Sequence, residues 1–383
     1  MGGIGKTTLA KAIYNKLSNQ FEHRSFIADI RESWKKGVHQ ILKRLIGDIL
    51  QQDIGVRDEN EGTNIISSRL KDKKVLVVLD DVDNVDRVKR LIGKHDLFSL
   101  RSRIIITTRD EGIFKRIEVD YKYDLKEMDS AQSLILFSKH AFRMDSPPKE
   151  FGDLTHKAVS ITGGLPLCLE VFGSLFYGKE STEWEDMIKK LEEIPRKEVQ
   201  ERLRISYEAL DDGQKQIFLD IACFFIGTDK SIASYMWEAC KFFPKVNIEE
   251  LRFMSLIKIQ DDRWLGMHDQ LRDLGGTIVR ENYERRPWKH SRLWDSDEAL
   301  KVLKANKGTE EIEAIDPSKG DSHGNIYTGE QFKNLTTLRF LHMEEGAHLS
   351  GDFKGSMEGL KWLRWPICPM NFDIEEFSPN RIS

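Results

Sequence analysis

The sequence has few cysteines and no long apolar run, and each of these absences excludes a class of protein. Its four cysteines, Cys168, Cys223, Cys240 and Cys368, lie far apart with no C-x-x-C pair, which argues against a zinc site and a disulfide framework. The longest apolar runs, such as residues 75–79, are too short to span a bilayer, and no secretory signal precedes them. We therefore expect a reduced cytoplasmic protein, with the nucleus as a second compartment, and no transmembrane segment.

The sequence also lacks a large excess of positive or negative charge. The 59 basic and 63 acidic side chains give a formal net charge of −4, so there is no electrostatic case for bulk binding to nucleic acid or to an anionic membrane. A length of 383 residues with 39% hydrophobic content is enough for two or three domains, each with its own core. The composition predicts a multidomain globular protein without direct nucleic-acid binding.

The first residues form most of a phosphate-binding loop. The stretch GGIGKTT over residues 2–8 fits the pattern Gly-x4-Gly-Lys-Thr, except that the first glycine would stand one position before Met1. Glycines let successive main-chain N–H groups point at phosphate oxygens, and a helix N-terminus adds partial positive charge. Lys6 would bring a charge to the phosphates and the Thr7 hydroxyl would bind Mg²⁺. The candidate phosphate-binding residues are Gly2, Gly3, Ile4, Gly5, Lys6, Thr7 and Thr8.

A second motif places acids directly after a buried strand. Residues 75–79 are all valine or leucine and run into Asp80 and Asp81, which is typical of a parallel strand that delivers carboxylates to the ligand-binding edge of a sheet. Asp80 would hold Mg²⁺, and Asp81 could act as the catalytic base that polarises an attacking water. Alternatively, these two acids could form only a solvated turn after the strand, without a role in binding or catalysis.

A third strand, over residues 103–108, leads to Arg109. A guanidinium at that edge could distinguish a triphosphate from a diphosphate, because it gains a charge-assisted hydrogen bond in only one state. Residues 25–30 predict another short buried strand, and strands alternating with helices predict a doubly wound α/β P-loop NTPase domain whose first strand is missing. Guanine recognition by Asn-Lys-x-Asp has no match, so adenine is favoured.

Helices follow the α/β domain. Near them, residues 163–169 read GGLPLCL, with Pro166 at a predicted helix start. The apolar ring of Pro166 could pack on an adenine face, or the residue could only initiate the helix.

Six motifs in order carry a resemblance to a known family. They are MGGIGKTTLA, VLVVLDDVD, SRIIITTRD, GGLPLCLEVFG, FLDIACFF (residues 218–225) and MHDQLRDLG (residues 267–275). The set resembles the NB-ARC module of plant intracellular nucleotide-binding leucine-rich-repeat immune receptors. Asp83 and the segment FLDIACFF are similar to the sequences of the branch that carries a TIR domain. The chain would then be a fragment without the TIR domain and without most of the repeats.

The resemblance implies four regions. These are a nucleotide-binding P-loop domain (1–122), a small helical domain (123–196), a winged-helix domain (197–306), and a linker with the first leucine-rich repeats (307–383). The predicted core of the winged-helix domain is Leu203, Ile205, Leu210, Ile217, Phe218, Leu219, Phe224 and Phe225. The stretch SRLW at residues 291–294 is similar to an end-of-domain motif and is expected to be structural.

The resemblance also implies a mechanism. The family binds ADP in a closed resting state and ATP with Mg²⁺ in an open state, and opening controls oligomerisation and defence signalling. Asp80 would be the metal-site acid, Arg109 the sensor, Pro166 the adenine contact and His268 the contact to the β-phosphate, oriented by Asp269. Without the family, His268 would more often be an ordinary core or surface histidine. Hydrolysis would be at most slow and serve resetting, and effectors or guarded host proteins would bind through the missing repeats.

The C-terminal stretch contains an internal repeat. Leu335, Leu338 and Phe340 match Leu360, Leu363 and Trp365 at an offset of 25, inside the leucine-rich-repeat range. The alternative is a pair of short helices with coincidental leucines.

Two other functions stay open. One is an active ATPase or regulatory protein of the wider signal-transducing ATPase class, in which turnover drives work on DNA or a protein. The other is a truncated decoy or adaptor that binds no nucleotide.

Overall fold

The computed structural model describes residues 2–34, 37–70, 73–92, 98–99, 101–117, 119–194, 199–281, 283–318, 324–343, 345–351, 353 and 356–366. It divides into two compact units, Met1–Lys126 and Glu127–Ser383. The predicted boundary at 196/197 and Cys368 lie outside the described residues. Within the described part, none of the helices has both the length and the apolarity needed to cross a bilayer.

The first unit is a parallel sheet flanked by helices. Its strands are β1 (His23–Ile27), β2 (Val75–Val82) and β3 (Arg103–Thr108). Its helices are α1 (Lys6–Leu17), α2 (Ile30–Ser33), α3 (Val38–Leu50), α4 (Glu59–Arg69) and α5 (Val85–Ile92). The described strands have the order β1-β2-β3, all parallel, which confirms the predicted α/β class.

The central strand β2 is buried along its whole length. One face of α3 packs in the same hydrophobic core, because its leucines and isoleucines recur at helical spacing. The buried residues on that face are Ile41, Leu42, Leu45, Ile46 and Ile49. Burial on both faces explains why β2 reads as a continuous apolar run rather than an alternating one.

The predicted strand at residues 25–30 is displaced. β1 ends at Ile27, Asp29 has a left-handed backbone with φ of 50°, and Ile30 begins α2. Aspartate tolerates this conformation better than most residues, so the chain can turn out of the sheet before the apolar run ends. The run of sequence hydrophobicity therefore spans the end of a strand and the start of a helix.

The second unit begins with helices and ends with short strands. Its helices are α6 (Ser130–Phe142), α7 (Gly152–Thr162), α8 (Pro166–Phe176), α9 (Ser181–Glu192), α10 (Val199–Glu208), α11 (Asp212–Asp220), α12 (Lys230–Ala239), α13 (Pro244–Phe253), α14 (Asp269–Arg280), α15 (Ser296–Lys304) and α16 (Gly329–Phe332). Its strands are β4 (Lys258–Gln260), β5 (Trp264–Gly266), β6 (Arg292–Leu293), β7 (Ala314–Ile315), β8 (Ile326–Thr328), β9 (Phe340–His342), β10 (His348–Ser350) and β11 (Trp362–Arg364).

The helical part packs around Trp184. Its ring lies 4.6 Å from Phe176 and 6.0 Å from Phe137, and its indole N–H donates to the main-chain oxygen of Phe176 at 3.1 Å. Only 1% of Trp184 is exposed. This aromatic cluster joins α6, α8 and α9 into one core.

A winged-helix arrangement follows, in which α11, α12 and α13 precede the antiparallel hairpin β4-β5 in the chain and α14 follows it. The predicted core is right for six positions, namely Leu203, Leu210, Ile217, Phe218, Leu219 and Phe225. It is wrong for Ile205 and Phe224, which are half-buried. Phe224 instead packs against Phe340, with ring centroids 4.9 Å apart.

A buried ionic network connects the winged-helix part to the C-terminal strands. Asp220 is 1% exposed and accepts from Arg292 Nε at 2.8 Å, from both terminal nitrogens of Arg339 at 2.8 Å, and from the Trp237 indole at 2.8 Å. Burial by itself raises the pKa of Asp220, but Arg339 and Arg292 more than offset this and hold the pKa below its usual value. A π-helical turn, Ile221–Phe225, starts directly after this aspartate.

The C-terminal strands form a parallel sheet of order β11-β9-β7-β6. Phe340 pairs with Trp362 and Leu341 with Leu363, so β9 and β11 are offset by 22 residues rather than the predicted 25, whereas Ala314 pairs with Phe340 at an offset of 26 between β7 and β9. The predicted offset was wrong because leucines recur every few positions, so the two segments can be matched at several offsets. The pairing of the strands shows which offset is adopted. The leucine-rich-repeat assignment itself stays a prediction.

We expect Asp220→Asn to lower the free energy of unfolding by about 3 kcal/mol, because two guanidiniums would lose their shared buried carboxylate. Urea denaturation followed by circular dichroism measures this change. Asp186→Asn is the control, since Asp186 forms an exposed pair with Lys189 and 77% of its side chain is accessible. Equal effects of the two substitutions would contradict the importance of the network.

The effect of Asp220 should also depend on pH. Because its pKa lies below the ordinary 3.8, the stabilisation is present above that pH and is lost as pH falls through the folded-state pKa. The stability difference between wild type and Asp220→Asn should therefore persist from neutral pH to about pH 4 and shrink in stronger acid. A difference that shrinks on the alkaline side instead would contradict this origin.

Candidate functional site

The loop before α1 has the backbone of a phosphate cradle. Gly3 and Gly5 have φ of 76° and 93°, a region that glycine enters without steric cost. Gly5 is the N-cap of α1 and offers no side-chain oxygen to the N–H groups of the first turn. A helix N-terminus of this kind attracts anions, so the loop fits a phosphate group.

Asp80, at the end of β2, is fixed by two threonine hydroxyls. The Thr7 hydroxyl donates to the Asp80 carboxylate and lies 3.0 Å from each of its two oxygens. The Thr107 hydroxyl donates to Oδ1 of Asp80 at 2.6 Å. Asp80 is 3% exposed. These contacts bring together the loop, the acid strand and the end of β3, as the sequence predicts for Thr7 and Asp80.

A hydroxyl and a carboxylate are the oxygen ligands that Mg²⁺ prefers. Within the described part of the chain, no cluster of three or more His, Cys, Asp or Glu side chains could hold a metal ion. A cation at Thr7 and Asp80 would therefore take its remaining ligands from water and phosphate, which is the usual arrangement for Mg²⁺ with a nucleotide.

Asp81 differs from Asp80 in both backbone and partners. Its φ is 54°, and the pairing of β2 with β3 shifts between Leu79 and Val82. Its main-chain N–H donates to Thr107 Oγ1 at 3.0 Å. Its carboxylate accepts from Arg109, Nε to Oδ1 at 2.9 Å and Nη2 to Oδ2 at 3.2 Å, and lies 3.5 Å from Arg31 Nε. The predicted base and the predicted sensor are thus paired with each other.

Two predicted site residues, Pro166 and His268, belong to the second unit. Pro166 stands in the first turn of α8, as predicted for a helix initiator. His268 is the N-cap of α14, and its Nδ1 accepts from the main-chain N–H of Gln270 at 3.1 Å. The backbone therefore sets the tautomer, and a neutral His268 carries its proton on Nε2.

The sequence analysis missed Thr107 and Arg31. Thr107 had a usable signal, because it lies near the carboxyl end of β3, the parallel neighbour of the strand that carries Asp80. Arg31 had none, because its approach to Asp81 depends on how the chain turns at Asp29.

Three of the four cysteines lie in the described part of the chain, where Cys168 is buried and Cys223 and Cys240 are half-buried. Cys168, Cys223 and Cys240 are free thiols. Burial raises the pKa of Cys168 and of Cys223 to about 12, so both stay protonated at neutral pH.

Comparison with known families assigns the fold of the site. Residues 1–147 match the model of the NB-ARC domain. The chain contains an NB-ARC domain. Residues 211–283 match the winged-helix domain of Roq1-like disease resistance proteins. The predicted family, including its TIR-type relatives, is confirmed.

Curated plant relatives match over nearly the whole chain. Disease resistance protein RUN1 of Vitis rotundifolia is 34% identical over 100% of this chain and 31% of its own length. TMV resistance protein N of Nicotiana glutinosa is 35% identical over 98% of this chain and 33% of its own length. The NB-ARC chain thus spans about a third of the length of these relatives.

Among solved structures, the Walker-type ATPase PABY2304 of Pyrococcus abyssi is 12% identical with a TM-score of 0.32, covering 72% of this chain and 88% of that one. A likeness at this TM-score adds nothing to the family assignment.

We expect Thr107→Val to lower the free energy of unfolding of the NB-ARC domain by about 1 to 3 kcal/mol, because the buried N–H of Asp81 would lose its acceptor. Thermal denaturation measures the loss. Thr63→Val is the matched control, since the Thr63 hydroxyl is exposed and donates within its own helix to the main-chain oxygen of Glu59 at 2.8 Å. Identical melting of the two variants would argue against the role of Thr107.

Proposed function

We propose that the chain is the nucleotide-controlled switch of a plant disease resistance receptor. It would hold ADP in a closed state and ATP with Mg²⁺ in an open state, and opening would lead to self-association and defence signalling. The observation that carries the proposal is the hydrogen bond from Thr7 to Asp80 at 3.0 Å, which joins a phosphate loop to a metal-site acid in a chain that contains an NB-ARC domain.

The first unit would bind the phosphates and the metal. The N–H groups of residues 2–8 and the Lys6 ammonium would contact phosphate oxygens, with Thr8 lining the site. Thr7 and Asp80 would hold Mg²⁺, which neutralises phosphate charge when bound. Both residues are already in contact, so little rearrangement of their side chains is needed.

Hydrolysis would be slow in this switch. A general base needs a carboxylate that can take a proton from water. Both carboxylate oxygens of Asp81 instead accept from the Arg109 guanidinium, and Arg31 lies 3.5 Å away, so the carboxylate faces guanidinium groups. We therefore assign at most a resetting ATPase to the chain, with Asp81 as the candidate base.

The second unit would contribute Pro166 to the adenine and His268 to the β-phosphate. Pro166 presents an apolar ring at a helix start, and His268 presents an N–H at Nε2 because its Nδ1 is used by the backbone. In this proposal, a nucleotide that binds the closed state more tightly than the open state would shift the conformational equilibrium toward the closed state.

The assignment of partners rests on the relatives. Proteins named for disease and virus resistance are 34% and 35% identical to this chain. In the complete receptor we propose recognition of an effector or a guarded host protein through repeats, in the cytoplasm. We also propose that the chain divides into four regions, with the limits 1–122, 123–196, 197–306 and 307–383.

We expect Lys6→Ala to reduce nucleotide carried through purification by about tenfold or more, since the loop would lose its charge to the phosphates. Mass spectrometry of small molecules released from the denatured protein measures this, and ADP should dominate. Lys11→Ala is the control, because Lys11 is exposed on the same helix. No adenine nucleotide in the wild-type chain, or sustained multi-cycle ATP hydrolysis, would contradict the switch.

We expect Asp269→Val in the complete receptor to raise resting signalling, because the helix that carries His268 would lose an acid in its first turn. Cell death in transiently transformed leaves, compared at equal protein levels, measures the output. Asp273→Val, one turn further along α14, is the control. Unchanged resting output would count against a closing role for this segment.

A further inference from the structure

Arg109 is already bound in this structure, and its partner is an acid of the same site. Nε and Nη2 of Arg109 donate to the two carboxylate oxygens of Asp81 at 2.9 and 3.2 Å. The Asp81 side chain is only 9% exposed and that of Arg109 is 23% exposed. Two-point pairs between arginine and carboxylate are among the stronger ionic contacts, and low exposure limits their screening. Any phosphate that Arg109 is to bind must therefore compete with Asp81.

Asp81 is poorly able to follow Arg109 to a new position. Its backbone has φ of 54° in a shifted segment of β2, and its N–H is held by Thr107 at 3.0 Å. The strand around it is buried. When Arg109 turns to another anion, the ion pair has to break.

A second guanidinium would remain beside Asp81. Arg31 Nε lies 3.5 Å from Oδ2. The main chain of Arg31 is tied to the same edge, because Arg87 donates to its carbonyl at 3.2 Å and itself pairs with Asp83 at 2.8 Å. Arg31 can therefore neutralise Asp81 after Arg109 has left.

We propose that Arg109 exchanges between Asp81 and the terminal phosphate of a nucleoside triphosphate, while Arg31 retains Asp81. This inference rests on the proposed nucleotide switch and adds its specificity determinant. With a diphosphate, Arg109 keeps its partner and loses nothing. With a triphosphate, Arg109 gains one anion at the expense of another, so Asp81 biases the chain toward ADP.

The proposal gives Asp81 a role other than that of a base, and the two roles predict different measurements. A base affects the rate of hydrolysis and leaves the relative affinity for ADP and ATP unchanged. A competing counter-ion changes the relative affinity, even for an analogue that cannot be hydrolysed.

The experiment measures dissociation constants of the purified chain for ADP and for a non-hydrolysable ATP analogue, both with Mg²⁺, by displacement of a fluorescent nucleotide. Asp81→Asn should favour the analogue over ADP by about fivefold, because the amide is a weaker competitor for Arg109. Asparagine also tolerates the left-handed backbone at this position. Arg31→Gln should shift the ratio in the opposite direction, because Asp81 would then depend on Arg109 alone.

Arg103→Gln is the matched control. Arg103 lies at the opposite end of β3 and is exposed, so its loss should leave the affinity ratio unchanged. Melting temperatures without nucleotide establish that each variant is folded, and Arg31→Gln carries the test if Asp81→Asn does not fold.

The outcomes separate this inference from the switch itself. Normal binding of both nucleotides with an unchanged ratio in Asp81→Asn and Arg31→Gln would overturn the exchange and leave the switch intact. A slower hydrolysis with an unchanged ratio would assign Asp81 to the base role. No binding of either nucleotide by the wild-type chain would overturn both proposals.

Discussion

The candidate site depends on one buried carboxylate that receives two threonine hydroxyls. Asp80 sits at the end of a strand with no exposed residue, so its charge cannot be solvated by water and must be met by donors from the protein. Thr7 comes from the phosphate loop and Thr107 from the neighbouring strand. The position of the loop and the position of the metal-site acid are therefore set by the same contact, and neither can move without disturbing the other.

Asp81, the next residue in the chain, has different contacts from Asp80 because the strand is irregular at this position. In a regular strand, consecutive side chains point to opposite faces. The left-handed backbone of Asp81 and the shift between Leu79 and Val82 instead bring its carboxylate to Arg109 and Arg31. Asp80 therefore accepts from hydroxyl groups, whereas the neighbouring Asp81 contacts guanidinium groups.

The sequence predicted features that depend on local pattern. The apolar run of β2, the glycines of the loop and the helical spacing in α3 can each be read without knowing the fold. Contacts that depend on the path of the chain could not be read. Arg31 reaches Asp81 only because the chain turns at Asp29, and the 22-residue offset of Phe340 and Trp362 follows from strand pairing rather than from leucine spacing.

The Asp220 network has a consequence for hybrids between related receptors. Its groups come from α11, β6 and the residue before β9, so Asp220 lies 72 positions from Arg292 and 119 positions from Arg339. Exchanging the C-terminal strands of one relative for those of another would replace Arg339 while keeping Asp220, so a mismatched partner would leave a buried charge uncompensated. Functional junctions between two relatives should fall before Asp220 or after Arg339, and rarely between them.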